Sequence, residues 1–415
     1  MGNTHESKLH RFIGAQFGLT GRIAESMSAE RRRRLWIHAS SLGEYQIVRP
    51  VLAELGRRMP DLAIVLTFFS PTGFDTLGGK TKRECGADYV FALPLDTPGN
   101  ARRLLEAVAP EAAVFMVSEL WPYYMRELKR RSIPVMQLST LLYDGCSALK
   151  WWGGSRRNML RHLDVVVVHD DVTADRLENI GCKRVLKTGD PLFDNAAAIA
   201  ATEWNDPALE KFSESAGGRV LVAGSVHDRN DVEIIGCAAR KLPQMKIIAV
   251  PHEITEKLIG EIERAMPGNC VRLSEVSETT DMNNVGTLIV DSVGQLSRLY
   301  RYGRYAYVGG GFTRLLHSVI EPIAYGLPTS YGPRIERKAT PRVMMELGIG
   351  RVVNNGDELA RWIETLETDD DQRCRVHEDA LKFVDLSSGS ASVIAKQIED
   401  LINKGNRPEY EQREW

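Results

Sequence analysis

Cysteine is scarce and scattered. There are six in 415 residues, Cys85, Cys146, Cys182, Cys237, Cys270 and Cys374, with no C-x-x-C pair. That spacing argues against a thiolate zinc cage or a disulfide-dense scaffold and suits reduced thiols in a cytoplasmic chain. Long apolar runs are missing as well. The longest are strand-length, far short of the ~18–20 residues a bilayer-crossing helix needs. The opening MGNTHESKLHR has no apolar signal core. Neither charge sign is in excess: the net charge is −2, so nothing global points to nucleic acid. Several catalytic fingerprints are also absent. No G-K-[ST] completes a P-loop, no G-x-G-x-x-G marks a dinucleotide turn, and no G-x-S-x-G marks a hydrolase elbow. The dense acidic spots, Asp170-Asp171 and Asp369 to Asp371, read as a helix cap and a solvated loop, so no metal is expected.

What is present is a regular alternation. Hydrophobic content of 43% and charge of 26% are ordinary globular values, and the length predicts two domains. Strand-like runs LWIHA (35–39), LAIVLTF (62–68), DYVFAL (88–93), AAVFMV (112–117), PVMQL (134–138) and DVVVVH (164–169) are separated by amphipathic helices. This predicts a parallel sheet covered on both faces. The pattern restarts with GRVLVAG (218–224), KIIAV (246–250), TLIV (287–290), AYVG (306–309) and LPTSYG (327–332). The polar stretch from Asp194 to Gly218 reads as the connection. The expected division is therefore 1–195 and 196–415, with helices 356–367 and 391–403 closing the second domain and NRPEYEQREW as a tail.

In open α/β sheets, ligands bind beyond the carboxyl ends of the strands. The loops there are the site candidates. SSLGE (40–44) has small residues, Ser40, Ser41 and Gly43, that permit a sharp turn before a helix. Glu44 then stands at the helix start, either as a general base or as a first-turn complement to the helix dipole. SELWP (118–122) brings Glu119 to the same sheet end. In the second half, GSVHDRND (224–231) brings Ser225 and His227, PHEI (251–254) brings His252 and Glu253, and DSVGQL (291–296) brings Gly294. GGGFTRLLHSVIEP (309–322) carries Gly309, Gly310, Gly311, His317, Ser318 and Glu321. Its glycines either admit a phosphate to backbone N–H groups or form a tight turn under a packed helix. Glu321 suits a ribose diol.

In order along the chain, WIHASSLGE, TFFSPTGFD (67–75), SELWP, TGDPLFD (188–194), GSVHDRND, VPHEI, DSVGQLSRLY, YVGGGF and HSVIEPIAYGLPTSYGP (317–333) form a set. It resembles the 3-deoxy-D-manno-octulosonic acid (Kdo) transferases of lipopolysaccharide biosynthesis, from about Lys8 to about Ile402. The resemblance implies a GT-B fold of two Rossmann-like domains facing a central cleft. It implies an inverting glycosyltransferase with CMP-Kdo as donor, a lipid A precursor (lipid IVA) as acceptor, and no metal or other cofactor. It implies Glu44 as catalytic base and Glu119 in support. Ser225, His227, Pro251, His252, Glu253, Gly294, Gly309, Gly310, Gly311, His317, Ser318 and Glu321 fall on the donor side. Ser41, Gly43, Ser70 and Thr72 fall on the acceptor side.

Three features depart from the family pattern. His317-Ser318 replaces a His-Asn pair, Leu192 stands where a basic residue is usual, and the chain starts where an apolar N-terminal membrane helix would end. The first 34 residues hold seven basic side chains against three acidic ones. They predict either a solvated segment or a surface that leans on anionic lipid, which the resemblance places at the cytoplasmic face of the inner membrane. The altered motifs keep open two rivals: a GT-B enzyme of another donor class, such as a UDP-sugar transferase or epimerase, or a non-catalytic relative.

Overall fold

The computed structural model describes residues 14–405, apart from 15, 118, 314, 315, 336 and 337. The basic Lys8 and Arg11 and the tail 406–415 lie outside the described residues. Two sheets are present. The first contains β1 (Arg33–His38), β2 (Leu62–Phe68), β3 (Tyr89–Ala92), β4 (Ala112–Met116), β5 (Val135–Leu138), β6 (Val165–Val168) and β7 (Val185–Lys187). The second contains β8 (Val220–Val226), β9 (Lys246–Pro251), β10 (Asn269–Arg272), β11 (Val285–Ile289), β12 (Tyr305–Val308), β13 (Thr329–Tyr331) and β14 (Gly350–Val352). Their orders are β3-β2-β1-β4-β5-β6-β7 and β10-β11-β9-β8-β12-β13-β14, with every pairing parallel.

Parallel sheets covered on both faces need strands that are apolar throughout. LAIVLTF of β2 is buried at all seven positions, and β4, β5 and β6 are buried along their whole lengths. Three strands escaped the sequence reading: β7, β10 and β14. All three lie at sheet edges and are half-solvated, so their residues carry little apolar signal.

Chain contacts divide the protein into one unit reaching Asn195 and resuming at Ser388, and a second unit spanning Ala196–Ser387. The sequence reading divides the chain after 195 and puts the last helix in the second domain. The final helix, Ser390–Gly405, belongs to the first unit. Its Ala391, Ile394, Ala395, Ile398 and Ile402 enter the core formed by Val48, Val51, Leu52 and Leu55 of the helix Leu42–Arg58 and by Leu35 and Ile37 of β1. An amphipathic pattern shows that a helix buries one face, but not which sheet it covers.

Asp194 anchors that return. Its carboxylate accepts from Gly389 N at 2.8 Å, Ser390 Oγ at 2.7 Å and Ala391 N at 3.4 Å, at the start of the last helix. It therefore caps the helix from a distant part of the chain, complementing the helix dipole. Asp194→Ala is expected to lower the stability of the first unit by about 1–2 kcal/mol, read as a lower denaturant midpoint. An unchanged midpoint would remove Asp194 from this role.

The Arg31–Arg34 run is not a free basic patch. Arg32 pairs with Glu30 at 2.5 Å and Asp88 at 2.9 Å, and Arg33 pairs with Glu111 at 2.9 Å. Arg34 donates to the carbonyls of Val108 and Glu30, each at 2.9 Å. The Arg32 guanidinium holds the Glu30 carboxyl down to about 2. Much of the N-terminal charge thus fastens the entry to β1.

Each sheet has a point where strand order reverses. It lies between β1 and β4 in the first and between β8 and β12 in the second. The loops leaving these strands stand at the carboxyl ends of the sheets, where doubly wound sheets bind ligands.

Candidate active site

In the first unit, Ala39–Glu44 leaves β1 and Val117–Trp121 leaves β4, so both carboxylates predicted from sequence fall at the reversal point. Ser41 caps the helix Leu42–Arg58, its Oγ accepting from Glu44 N at 3.3 Å. The Glu44 Oε2 reaches back to Ser40 N at 2.6 Å. This is a capping arrangement of the S-x-x-E kind. Glu44 thus takes part in the cap through both its N–H and its carboxylate. Burial pushes the Glu44 carboxyl up to about 7; the Ser40 N–H pulls it back in part, and the Glu119 charge adds to the rise. A carboxyl so placed gains and loses its proton near neutrality, as a general base requires.

The neighbouring loops hold this turn in place. Ser70 N donates to Ser40 O at 2.8 Å, tying the loop after β2 to that after β1. In the same loop, a Cβ on Gly73 would meet the Phe68 ring at 2.4 Å, which explains the glycine of S-P-T-G. Ser70 and Thr72 open the helix Pro71–Leu77, with Thr72 exposed, and Gly43 is exposed as well. Val117, at the end of β4, has φ 52°. A β-branched residue there stores about 1–3 kcal/mol, a cost that commonly marks functional turns.

Sequence reasoning missed His38. It is fully buried, with Nδ1 3.0 Å from Thr67 Oγ1 and Nε2 3.1 Å from Ser40 Oγ. Burial drives its pKa down to about 3, so the ring is neutral. It orients Ser40, whose backbone holds Glu44. The available signal was a histidine ending an otherwise apolar strand. Trp121 packs against Phe69 at 4.9 Å and edge-on to His38 at 5.9 Å. Its Nε1 is buried and finds no hydrogen-bond partner among the described residues.

In the second unit, Asp231 is the hidden organiser. Fully buried, it accepts from His227 N at 2.9 Å, Gly310 N at 2.9 Å and Tyr307 Oη at 2.7 Å. It thereby joins the loop after β8 to the loop after β12. Burial raises its pKa, and these three donors oppose the rise. Sequence reading passed it over as one more acid in a polar loop. Ser225, with φ 52°, repeats the strained turn of the first sheet.

The glycine run is a packed turn. Gly309, Gly310 and Gly311 are all buried. A Cβ on Gly309 would meet Ser225 O at 2.1 Å, and one on Gly311 would meet Gly332 N at 2.4 Å. Gly309 N donates to Gly224 O at 2.9 Å, and Gly310 N is spent on Asp231. The expectation that these two N–H groups cradle a phosphate is therefore corrected: the glycines let three loops approach each other.

The remaining positions form the rim. Glu321 is half-buried and raised in pKa by burial, with Ser297 Oγ donating to its Oε1 at 2.8 Å. Ser318 lies beside it in sequence, in the segment between His317 and the short helix Ile320–Ile323. Pro251 is buried at the end of β9, and His252 and Glu253 follow, both exposed. Gly294 is exposed with φ 87°, a turn that requires glycine. Ser292 Oγ, Gln295 Oε1, His227 Nδ1 and His317 Nε2 are buried without hydrogen-bond partners among the described residues. Unsatisfied buried polar atoms at these loops favour a polar ligand.

Two doubly wound units with charged loops at their reversal points define a GT-B-type protein. Residues 13–195 match the family model described as 3-deoxy-D-manno-octulosonic-acid transferase (kdotransferase). The chain is 28% identical over 338 residues to the 3-deoxy-D-manno-octulosonic acid transferase of Aquifex aeolicus, covering 80% of this chain and 85% of that one. It is 26% identical over 363 residues to the Haemophilus influenzae enzyme of the same name, covering 82% and 81%. Among solved structures, a putative UDP-N-acetylglucosamine 2-epimerase from Listeria monocytogenes superposes with a TM-score of 0.61 at 9% identity, covering 92% of this chain and 98% of that one. That last likeness concerns the fold alone. Residues 13–195 thus form a domain of the Kdo transferase family, and the likeness to Kdo transferases continues through most of the chain. These homologues support a glycosyltransferase.

Proposed function

We propose that the protein moves Kdo from CMP-Kdo to a lipid A precursor, lipid IVA, with inversion at the anomeric carbon and no metal in the chemical step. Glu44 takes the proton of an acceptor hydroxyl as that oxygen bonds to the anomeric carbon. The bond from that carbon to the CMP phosphate oxygen breaks, and CMP leaves with the electron pair. The observation that carries this reading is the Glu44 carboxyl, raised to about 7 within the family domain and at the reversal point of its sheet. Glu119 supports it by its charge. Ser41, Gly43, Ser70 and Thr72 receive the acceptor, and the Trp121 Nε1 offers it a donor.

The second unit takes the nucleotide through Ser225, His227, Pro251, His252, Glu253, Gly294, His317, Ser318 and Glu321, with Glu321 on the ribose. Gly309, Gly310 and Gly311 shape that rim by close packing. Incubation with CMP-Kdo and a tetraacylated lipid A precursor, followed by mass spectrometry, is expected to show addition of Kdo. Tight UDP binding with neither CMP binding nor product would overturn the reading.

The same proposal places the protein at the cytoplasmic face of the inner membrane as a peripheral partner. No helix among the described residues is long and apolar enough to cross a membrane. Trp151 and Trp152, 91% and 61% exposed, stand beside Lys150 in the first unit. Such rings sit well at the headgroup level of a bilayer. Co-sedimentation with anionic vesicles is expected, and it should weaken several-fold in a Trp151→Ala, Trp152→Ala double variant. Equal sedimentation of both proteins would sink this placement.

A further inference from the structure

The loops leaving β8, β9 and β12 each contribute one histidine: His227, His252 and His317. Their ring centroids stand 5.3 Å (227–252), 5.7 Å (227–317) and 4.2 Å (252–317) apart. One ring nitrogen from each lies within 4.8 Å of the other two. Two ring nitrogens in the trio, His227 Nδ1 and His317 Nε2, are buried with no hydrogen-bond partner among the described residues. Leaving such polar atoms buried and unpaired is costly, which favours a ligand there.

The chemistry of these rings selects the kind of ligand. The buried Asp231 carboxylate accepts from the main-chain N–H of His227 rather than from its ring. An imidazole nitrogen offers a lone pair to a metal ion. Lys338 directs its ammonium to the main-chain carbonyl of His317, at 3.1 Å. Nitrogen donors of borderline softness suit a divalent transition metal rather than magnesium or calcium.

We propose that His227, His252 and His317 form a site for a divalent transition metal of the zinc class, with the fourth position open to water or an anionic oxygen. In a tetrahedral site with Zn–N of about 2.0–2.1 Å, the ligand nitrogens stand about 3.3 Å apart. The approach from the observed spacing falls to His252, the exposed member of the trio. Glu44, in the other unit, needs no metal to take a proton. The transfer reading places these same three histidines at the nucleotide rim, so the metal would share that rim; the test uses neither donor nor turnover, so failure of the metal site and failure of the transfer reading are distinguishable.

The test uses the full chain, stripped with a chelator and dialysed against Zn²⁺, with bound metal counted by mass spectrometry. A parallel sample takes Co²⁺ and is read by visible absorption. One equivalent of Zn²⁺ is expected, with cobalt d–d bands and no sulfur charge-transfer band. His252→Ala and His317→Ala should each weaken binding by at least the ~10–100-fold typical of losing an outer-shell partner. Because His252 is exposed, its variant keeps the test valid should His317→Ala fail to fold. Three results would overturn the proposal: no bound zinc on the wild type, unchanged affinity in His252→Ala, or a thiolate signature placing the metal on cysteine.

Discussion

Glu44→Gln is expected to lower turnover by about 10²–10⁴-fold, the usual contribution of a general base, while the protein remains folded. The amide oxygen can still accept from Ser40 N, so the helix cap survives and the loss isolates the proton-transfer role. The pH dependence supplies a second readout. With its pKa near 7, Glu44 becomes the deprotonated base progressively through neutrality, so wild-type turnover should rise with pH through about 7. In the variant that limb should vanish.

Stability should move the opposite way. The folded pKa lies above the ordinary carboxyl value of 4.5, so between about 4.5 and 7 the folded state binds more protons than the unfolded state. The contribution of this group is therefore present at acid pH and is lost as pH rises through 7. Glu44→Gln should melt at or above the wild-type temperature at pH 8. Such a pattern marks a residue kept for chemistry at the expense of stability. Near-full activity in the variant would remove Glu44 as the base, whatever its role in the cap.

Asp231→Ala should have the largest effect on stability. It leaves three donors without an acceptor: the His227 N–H, the Gly310 N–H and the Tyr307 hydroxyl. With each orphaned buried group costing about 1–3 kcal/mol, the loss is expected to reach about 3 kcal/mol or more. For a unit of this size that corresponds to a fall of roughly 6–12 °C in Tm. Calorimetry is the appropriate measurement, since two units need not unfold in one transition. The lower-melting transition should be that of the second unit, with loss of nucleotide binding. An unchanged calorimetric profile would show that other contacts hold the loops after β8 and β12 together.

The parts of this molecule legible in sequence are those where one residue answers to one constraint. Buried central strands such as LAIVLTF announce themselves because both faces require apolar side chains. Edge strands such as β7 and β10 do not, because solvent covers part of them. The place of Glu44 was legible because small residues after a strand end mark a turn into a helix, and its first-turn position follows from that turn. Asp231 and His38 were missed because their importance lies in partners far along the chain, Gly310 and Thr67. The glycine run shows the converse. Its backbone freedom was plain in sequence, but whether its N–H groups would face a ligand or a neighbouring loop depended on Asp231.

The return of the last helix has a consequence for biosynthesis. While the ribosome is still translating residues before Ser390, the growing chain already displays Val51, Leu55 and Leu35 with no helix to cover them. The first unit cannot finish its core until the second has been made, so a chain that stalls after residue 387 should emerge sticky and be drawn to chaperones rather than persist as a tidy half-protein.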